Sequence, residues 1–236
     1  MLIDLAIYGL STMLLYEVID RSNIADKIIR IYNKRKAVPC TDTILDLGYN
    51  DEQDNITVDM SIDAHMIIAG LSQCGKSRLA ESCLQNKPVT ILNAFTKDFK
   101  TLKGNRINGK LNILEYLEHA LDNRTEESPI HYILIDEILV LMRDKKINEA
   151  LANLLAEARH YGIYVIALTQ NGTKEVLKCK DLFNVRVAMK QIEEASYRTI
   201  LGCTPPNLKL YQREFYVVDE HGLRKGHTHA VREGEN

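Results

Sequence analysis

Residues 65–77 read His-Met-Ile-Ile-Ala-Gly-Leu-Ser-Gln-Cys-Gly-Lys-Ser, or HMIIAGLSQCGKS. The stretch up to Ala69 is apolar apart from His65 and predicts a short buried strand. Gly70 to Ser77 matches G-x-x-x-x-G-K-[S/T] in full, and Arg78–Gln85 predicts a helix. Strand, glycine-bracketed loop and helix in that order are the setting of a phosphate-binding loop. The glycines let successive backbone N–H groups curl toward phosphate oxygens, and the helix N-terminus adds the positive end of its dipole. The expected cradle comprises Gly70, Leu71, Ser72, Gln73, Cys74, Gly75, Lys76, Ser77 and Arg78. In such a loop the lysine, Lys76, reaches the β- and γ-phosphates, and the Ser77 hydroxyl ligates Mg²⁺. ATP with Mg²⁺ is the expected ligand pair. Cys74 is expected to be partly exposed, with its thiol pKa lowered by Lys76 and the helix N-terminus. On that reading a maleimide on Cys74 blocks nucleotide binding.

Downstream, Ile130–Ile135 (IHYILI) predicts a second buried strand, and it ends in Asp136-Glu137. An apolar run ending in two carboxylates suits the other half of a hydrolytic nucleotide site. Asp136 would hold Mg²⁺ through its water shell and Glu137 would polarise the attacking water. The apolar positions Ile147, Leu151, Leu154, Leu155 and Ala158 fit one helical face, closed near Gly162. The strand Ile163–Leu168 follows and runs into Thr169-Gln170. A polar residue such as Gln170, at the carboxyl end of a strand beside the phosphate-loop strand, can sense a γ-phosphate or the lytic water. Val185–Met189 predicts a strand, and Ser196–Leu201 a helix. This alternation predicts an α/β fold with a mostly parallel, doubly wound sheet and helices on both faces. Glu214–Asp219 and Thr228–Val231, either side of His221-Gly222, predict a C-terminal hairpin.

Working outward, the 236 residues suffice for one α/β domain plus a short appendage. A 45% hydrophobic content supports a packed core. Thirty basic side chains against 32 acidic ones exclude a generally basic nucleic-acid binder, though not one that touches DNA through a local patch. The five cysteines form no C-x-x-C pair, so reduced thiols and a cytoplasmic setting are expected. Residues 5–16 are an uncharged, mostly apolar run, followed by basic residues from Arg21 to Lys36. The run is shorter than the roughly 20 residues of a bilayer span. It reads either as a packing helix or as an interfacial membrane anchor. The expected organisation is an apolar and basic helix over 1–34, a linker and lead-in strand over 35–60, and the nucleotide-binding domain over 61–236. Residues 41–63 hold seven acidic residues and no basic one, so this face should point away from a polyanion. Residues 97–110 carry Lys97, Lys100, Lys103, Arg106 and Lys110, and a second loop carries Lys174, Lys178 and Lys180. Both read as loops able to contact DNA phosphates, or simply as solvated charge.

Several motifs recur in one order: His65, the phosphate loop, Ile135-Asp136-Glu137, Ala158-Arg159-x-x-Gly162-Ile163, Thr169-Gln170, Arg186, and Arg198-Thr-Ile-Leu201-Gly202. Over roughly residues 57–205 this resembles the motor domain of the FtsK/SpoIIIE branch of the FtsK–HerA superfamily of DNA-pumping ATPases. The resemblance implies a RecA-like P-loop (ASCE) fold and an oligomeric ring, usually a hexamer, around double-stranded DNA. It also implies that Arg159 acts as a finger on the neighbouring subunit's ATP, with Arg186 and Arg198 as other arginines that could face the interface. The span between Ser77 and Asp136 is short for a chromosome translocase. The compact size looks more like viral genome-packaging members, or accessory translocases of plasmids, phages and conjugative elements. A non-translocating ATPase switch of a membrane machine is the reading from another class.

Overall fold

Three strands are buried along their whole length and a fourth along all but its first residue, and these four set the architecture. Met66–Ala69 (β3), Val89–Leu92 (β4) and Ile163–Thr169 (β7) expose none of their residues, and His131–Ile135 (β6) is buried beyond its first residue. Continuous apolar runs of this kind belong in a parallel sheet covered on both faces. The computed structural model describes residues 42–170 and 181–229. Within them one ten-stranded sheet forms, completed by Ile44–Tyr49 (β1), Asn55–Asp59 (β2), Asn105–Ile107 (β5), Val185–Ala188 (β8), Glu214–Asp219 (β9) and Gly222–His227 (β10). Its order is β2-β1-β10-β9-β8-β3-β7-β6-β4-β5. The run from β8 to β5 is parallel throughout. The run from β9 to β2 is antiparallel. This is the expected α/β fold of RecA-like type.

Strand alternation divides the core in two. Met66 and Ile68 face one side, where they pack with Leu79, Ala80, Cys83 and Leu84 of helix α1 (Lys76–Leu84) and with Leu45 and Leu47 of β1. Ile67 and Ala69 face the other side. There they meet α2 (Lys110–His119), α3 (Ile138–Met142), α4 (Lys145–Glu157) and α5 (Glu194–Leu201). Four of the five positions predicted for one face of α4, namely Ile147, Leu151, Leu154 and Leu155, are buried within the helix, and Ala158 is buried just beyond it. Asp144 caps α4, its carboxylate accepting from the N–H groups of Lys146 and Ile147. A 3₁₀ turn over Ala158–Tyr161 then ends at Gly162, whose N–H donates to the carbonyls of Ala158 and Arg159.

Two expectations are corrected. The terminal hairpin exists, but its return strand is Gly222–His227, not Thr228–Val231. Apolar alternation does not reveal β10, because charge pairing across the ladder holds it: Arg224 bonds Asp219, and Lys225 bonds Glu214 at 3.1 Å. Ala230 and Val231 lie outside the described residues, as do residues 1–41 and Lys174, Lys178 and Lys180. Residues 97–110 are not a plain loop. They contain edge strand β5, and Arg106 turns inward, donating to the carbonyls of Phe95, Asp98 and Phe99. Among the described residues no helix is long and apolar enough to cross a membrane.

Candidate active site

Every nucleotide-site residue expected from the motifs falls at the carboxyl edge of the parallel strands. In open α/β sheets that edge is where ligands bind. The phosphate loop follows β3, Asp136-Glu137 follows β6, and Thr169-Gln170 ends β7. Since β3, β7 and β6 are consecutive neighbours, the three segments lie side by side.

The loop is shaped by two glycines. Gly75 sits at φ +114° as the residue before α1, a conformation that L side chains rarely adopt. A Cβ on Gly70 would come within 2.6 Å of the Cys74 sulfur and 2.9 Å of the Met189 Cβ. The start of the loop is therefore packed against Cys74, four residues on, and against Met189 just beyond β8. Its start is tied down by Gly70 N–H to the Thr169 carbonyl at 3.1 Å and Leu71 N–H to the Lys190 carbonyl at 3.0 Å. The N–H groups of Gln73, Gly75 and Ser77 find no acceptor among the described residues, which leaves donors for an anion. Lys76 Nζ donates to the carbonyls of Gly70 at 2.7 Å and Leu71 at 2.9 Å, so the ammonium lies folded over the loop. Ser72, Gln73, Ser77 and Arg78 are exposed along its rim. Cys74 departs from expectation. It is 4% exposed, and burial pushes its thiol pKa up. Desolvation of the sulfur outweighs the nearby Lys76 charge, so Cys74 is not the exposed, low-pKa, maleimide-reactive thiol expected from its neighbours.

Asp136 continues the β4–β6 ladder, its N–H bonding the Leu92 carbonyl at 3.0 Å. Its own carbonyl accepts from Asn93 Nδ2 at 2.9 Å. Asn93, a polar residue at the end of β4, was not singled out from the sequence, although its position at a strand end was the available signal. Burial, with the charges of Asp98 and Glu137, raises the Asp136 carboxyl to about 6, and Lys76 works the other way. Asp136 and Ser77 are oxygen donors of the kind Mg²⁺ takes, although no group of three or more His, Cys, Asp or Glu able to hold a metal ion forms among the described residues. Glu137 occupies the left-handed region at φ 51° and turns β6 directly into α3. Its Oε1 accepts long hydrogen bonds from the Thr169 hydroxyl at 3.5 Å and the Gln170 N–H at 3.4 Å. Gln170 thus meets Glu137 through its backbone, and its side chain is exposed.

His65 lies at the other end of β3 and is 2% exposed. Its Nδ1 accepts from the Val165 N–H at 3.0 Å, which leaves Nε2 to donate to the Leu155 carbonyl at 3.0 Å. Burial, with the Arg159 charge, lowers its pKa to about 4, so the ring is neutral. The three arginines differ. Arg159, in the turn before β7, is exposed and has no ion-pair partner among the described residues. It stands at the amino edge of the sheet, opposite its own phosphate loop. Arg198 is engaged with Glu194 at 2.8 Å and Thr204 at 3.2 Å. Arg186 is partly buried, with its Nε unpaired, in a cavity of about 310 Å³ lined by Asp63, Asp181 and Asp219. Lys97, Lys100 and Lys103 are exposed, whereas Lys110 approaches Asp144 at 3.9 Å.

No protein-family model matches the chain, and no curated protein matches it. Solved structures do. The chain is similar to the pCW3 conjugation coupling protein TcpA, in its monomer form with ATPγS, with a TM-score of 0.70 and 15% identity over 83% of this chain and 68% of that one. It is similar to the cytoplasmic domain of the Thermomonospora curvata type VII secretion ATPase EccC, with a TM-score of 0.62 and 17% identity over 81% of this chain but only 26% of that one. It is similar to the genome-packaging NTPase B204 of Sulfolobus turreted icosahedral virus 2, with a TM-score of 0.52 and 15% identity over 70% of this chain and 98% of that one. These likenesses establish the fold, that of RecA-like P-loop ATPases.

Proposed function

We propose that the chain is an ATP-hydrolysing DNA translocase of FtsK–HerA type that works as a ring, a hexamer by resemblance, on double-stranded DNA. The observation that carries this reading is the convergence of loop, Asp136 and Glu137 at one sheet edge, with Arg159, unpaired among the described residues, at the opposite edge. The loop N–H groups and Lys76 bind the phosphates. Ser77 and Asp136 would hold Mg²⁺, which when bound neutralises charge on the β- and γ-oxygens. Glu137 orients and polarises the attacking water. Thr169 and the Gln170 N–H keep its carboxylate at the strand ends, and the Gln170 side chain senses the γ-phosphate. Arg159 stands too far across its own sheet to serve its own loop, so it acts on a neighbour's ATP, which calls for a ring. Its exposure favours it over Arg198, already paired with Glu194, and Arg186, which is partly buried. DNA phosphates are met by Lys97, Lys100 and Lys103, and by the second lysine loop.

A second reading, genome packaging, is favoured by the likeness to B204, which covers 98% of that packaging NTPase. Both readings require a DNA-stimulated ATPase, whereas a non-translocating switch does not. The test is turnover with and without linear duplex DNA. The wild type should hydrolyse ATP faster with DNA, and the stimulation should fall steeply with salt. Glu137→Gln should retain ATP binding and lose about 100-fold or more in turnover. Absence of DNA stimulation at low salt would reject the translocase.

A further inference from the structure

One aromatic ring beside the phosphate loop has no part in the site described above. Tyr211, just ahead of β9, is 77% exposed, yet its backbone is fixed. Its N–H donates to Glu214 Oε2 at 2.8 Å, and its carbonyl accepts from the Glu214 N–H at 3.3 Å. The next two residues are fastened onto the phosphate loop itself. Gln212 Nε2 donates to the Gln73 carbonyl at 3.3 Å, and the Arg213 N–H donates to the Cys74 carbonyl at 3.2 Å. Arg213 is held in the left-handed region at φ 72°, and its carbonyl accepts from Thr228 N–H at 2.9 Å. A Cβ built on Gly75 would lie 3.9 Å from the Arg213 Cα. A turn so fully tied to the loop holds the backbone that carries this exposed ring beside it.

The sheet order gives the direction of the ligand. Asp136 and Glu137 follow β6, two strands from β3 on one side, and they mark the terminal-phosphate end. The Tyr211 turn leads into β9, two strands from β3 on the other side, roughly 10 Å away at ordinary strand spacing. A nucleoside triphosphate with its terminal phosphate at Glu137 therefore extends its base toward the β8–β9 side. An exposed ring on a rigid turn there offers a π-face to that base.

We propose that Tyr211 is the stacking platform for the base of the bound nucleoside triphosphate, favouring purines, whose two rings overlap a phenol more fully than one. This rests on the reading of Gly70–Ser77 as a triphosphate site. The test compares binding of ATPγS and inorganic tripolyphosphate, each with Mg²⁺, to the full chain. Tyr211→Ala should weaken ATPγS by about tenfold and leave tripolyphosphate unchanged, and Tyr211→Phe should bind both as the wild type does. An equal loss for both ligands, or no loss for either, overturns the platform. A wild type that binds neither ligand instead overturns the phosphate-loop reading on which it stands. Tyr211→Trp supplies a second readout, because the chain has no tryptophan of its own. Saturating ATPγS should quench its single indole and tripolyphosphate should not. An emission unaltered by bound ATPγS counts against stacking.

Discussion

Asp136 illustrates what one carboxyl group gives up to serve a site. Its folded pKa of about 6, against an ordinary 3.8, arises first from burial and then from Asp98 and Glu137. Between those values the folded chain binds more protons than the unfolded one. The metal-free protein therefore loses stability as pH rises from about 4 to about 6, and the penalty persists above that range. Asp136→Asn removes it. In chelator at neutral pH the variant should be more stable by on the order of 1 kcal/mol, after allowing for partial exposure, with Mg²⁺-dependent turnover lost. Urea midpoints at about pH 5 and about pH 7.5 check this, with the larger gain expected at the higher pH. A variant less stable than the wild type at both values contradicts the account. Cys74 teaches the converse at the same scale. Its sequence neighbours promised a reactive thiol, but packing against Gly70 buries the sulfur.

At the scale of elements, His65 joins three of them. It opens β3 at φ 64°, satisfies Val165 N–H of β7, and donates to Leu155 at the end of α4. The two backbone groups have no water to turn to, since the ring is buried. His65→Ala should cost about 2–4 kcal/mol through the lost bonds and the cavity, read as a lower urea midpoint. His65→Gln, which carries one acceptor and one donor, should recover part of the loss. The sign with pH is opposite to that of Asp136. The unfolded histidine protonates below about 6.5 while the folded ring stays neutral to about 4, so this contribution is lost as pH falls through that window. A wild-type midpoint that His65→Ala leaves unmoved would refute the linking role. The elements themselves were legible wherever burial is continuous or alternation is clean, as in β3, β6, β7 and α4. Strands β5 and β10 were not, because edge pairing and cross-strand charge, rather than apolar pattern, hold them.

At the scale of the whole molecule, the chain carries its phosphate loop at one edge of the sheet and Arg159, unpaired among the described residues, at the other. On the proposed reading a site is complete only when the arginine edge of one copy meets the loop edge of the next, a head-to-tail contact that makes a ring when its rotation closes. Arg159→Ala should bind ATP as the wild type does and lose hydrolysis by at least about tenfold. Mixed with wild type, it should lower turnover by more than its molar share, measured as ATPase against mixing ratio. A strictly proportional loss is the result that defeats action in trans. The near-neutral charge of the chain agrees with this arrangement. On the proposed reading a few exposed lysines per subunit, repeated around a pore, hold the polyanion, while strands β1 and β2 form the far edge of the sheet.

By itself the sequence determined the motifs and the strands and helix that frame them. A complete G-x-x-x-x-G-K-S between an apolar run and a helix, and an apolar run ending in Asp136-Glu137, specify a nucleotide site because those contacts are local in the chain. Tertiary structure decided everything that depends on approach from elsewhere. Cys74 is buried because Gly70 packs on its sulfur. Glu137 is held because Thr169 and Gln170 end the neighbouring strand. Of three candidate arginines, Arg159 is the one left exposed and unpaired among the described residues. Tyr211, more than a hundred residues beyond the phosphate loop, comes to stand beside it because the antiparallel return of β9 brings it there. Spacing along the chain encodes the first kind of contact. The second is encoded only in the order in which strands pair.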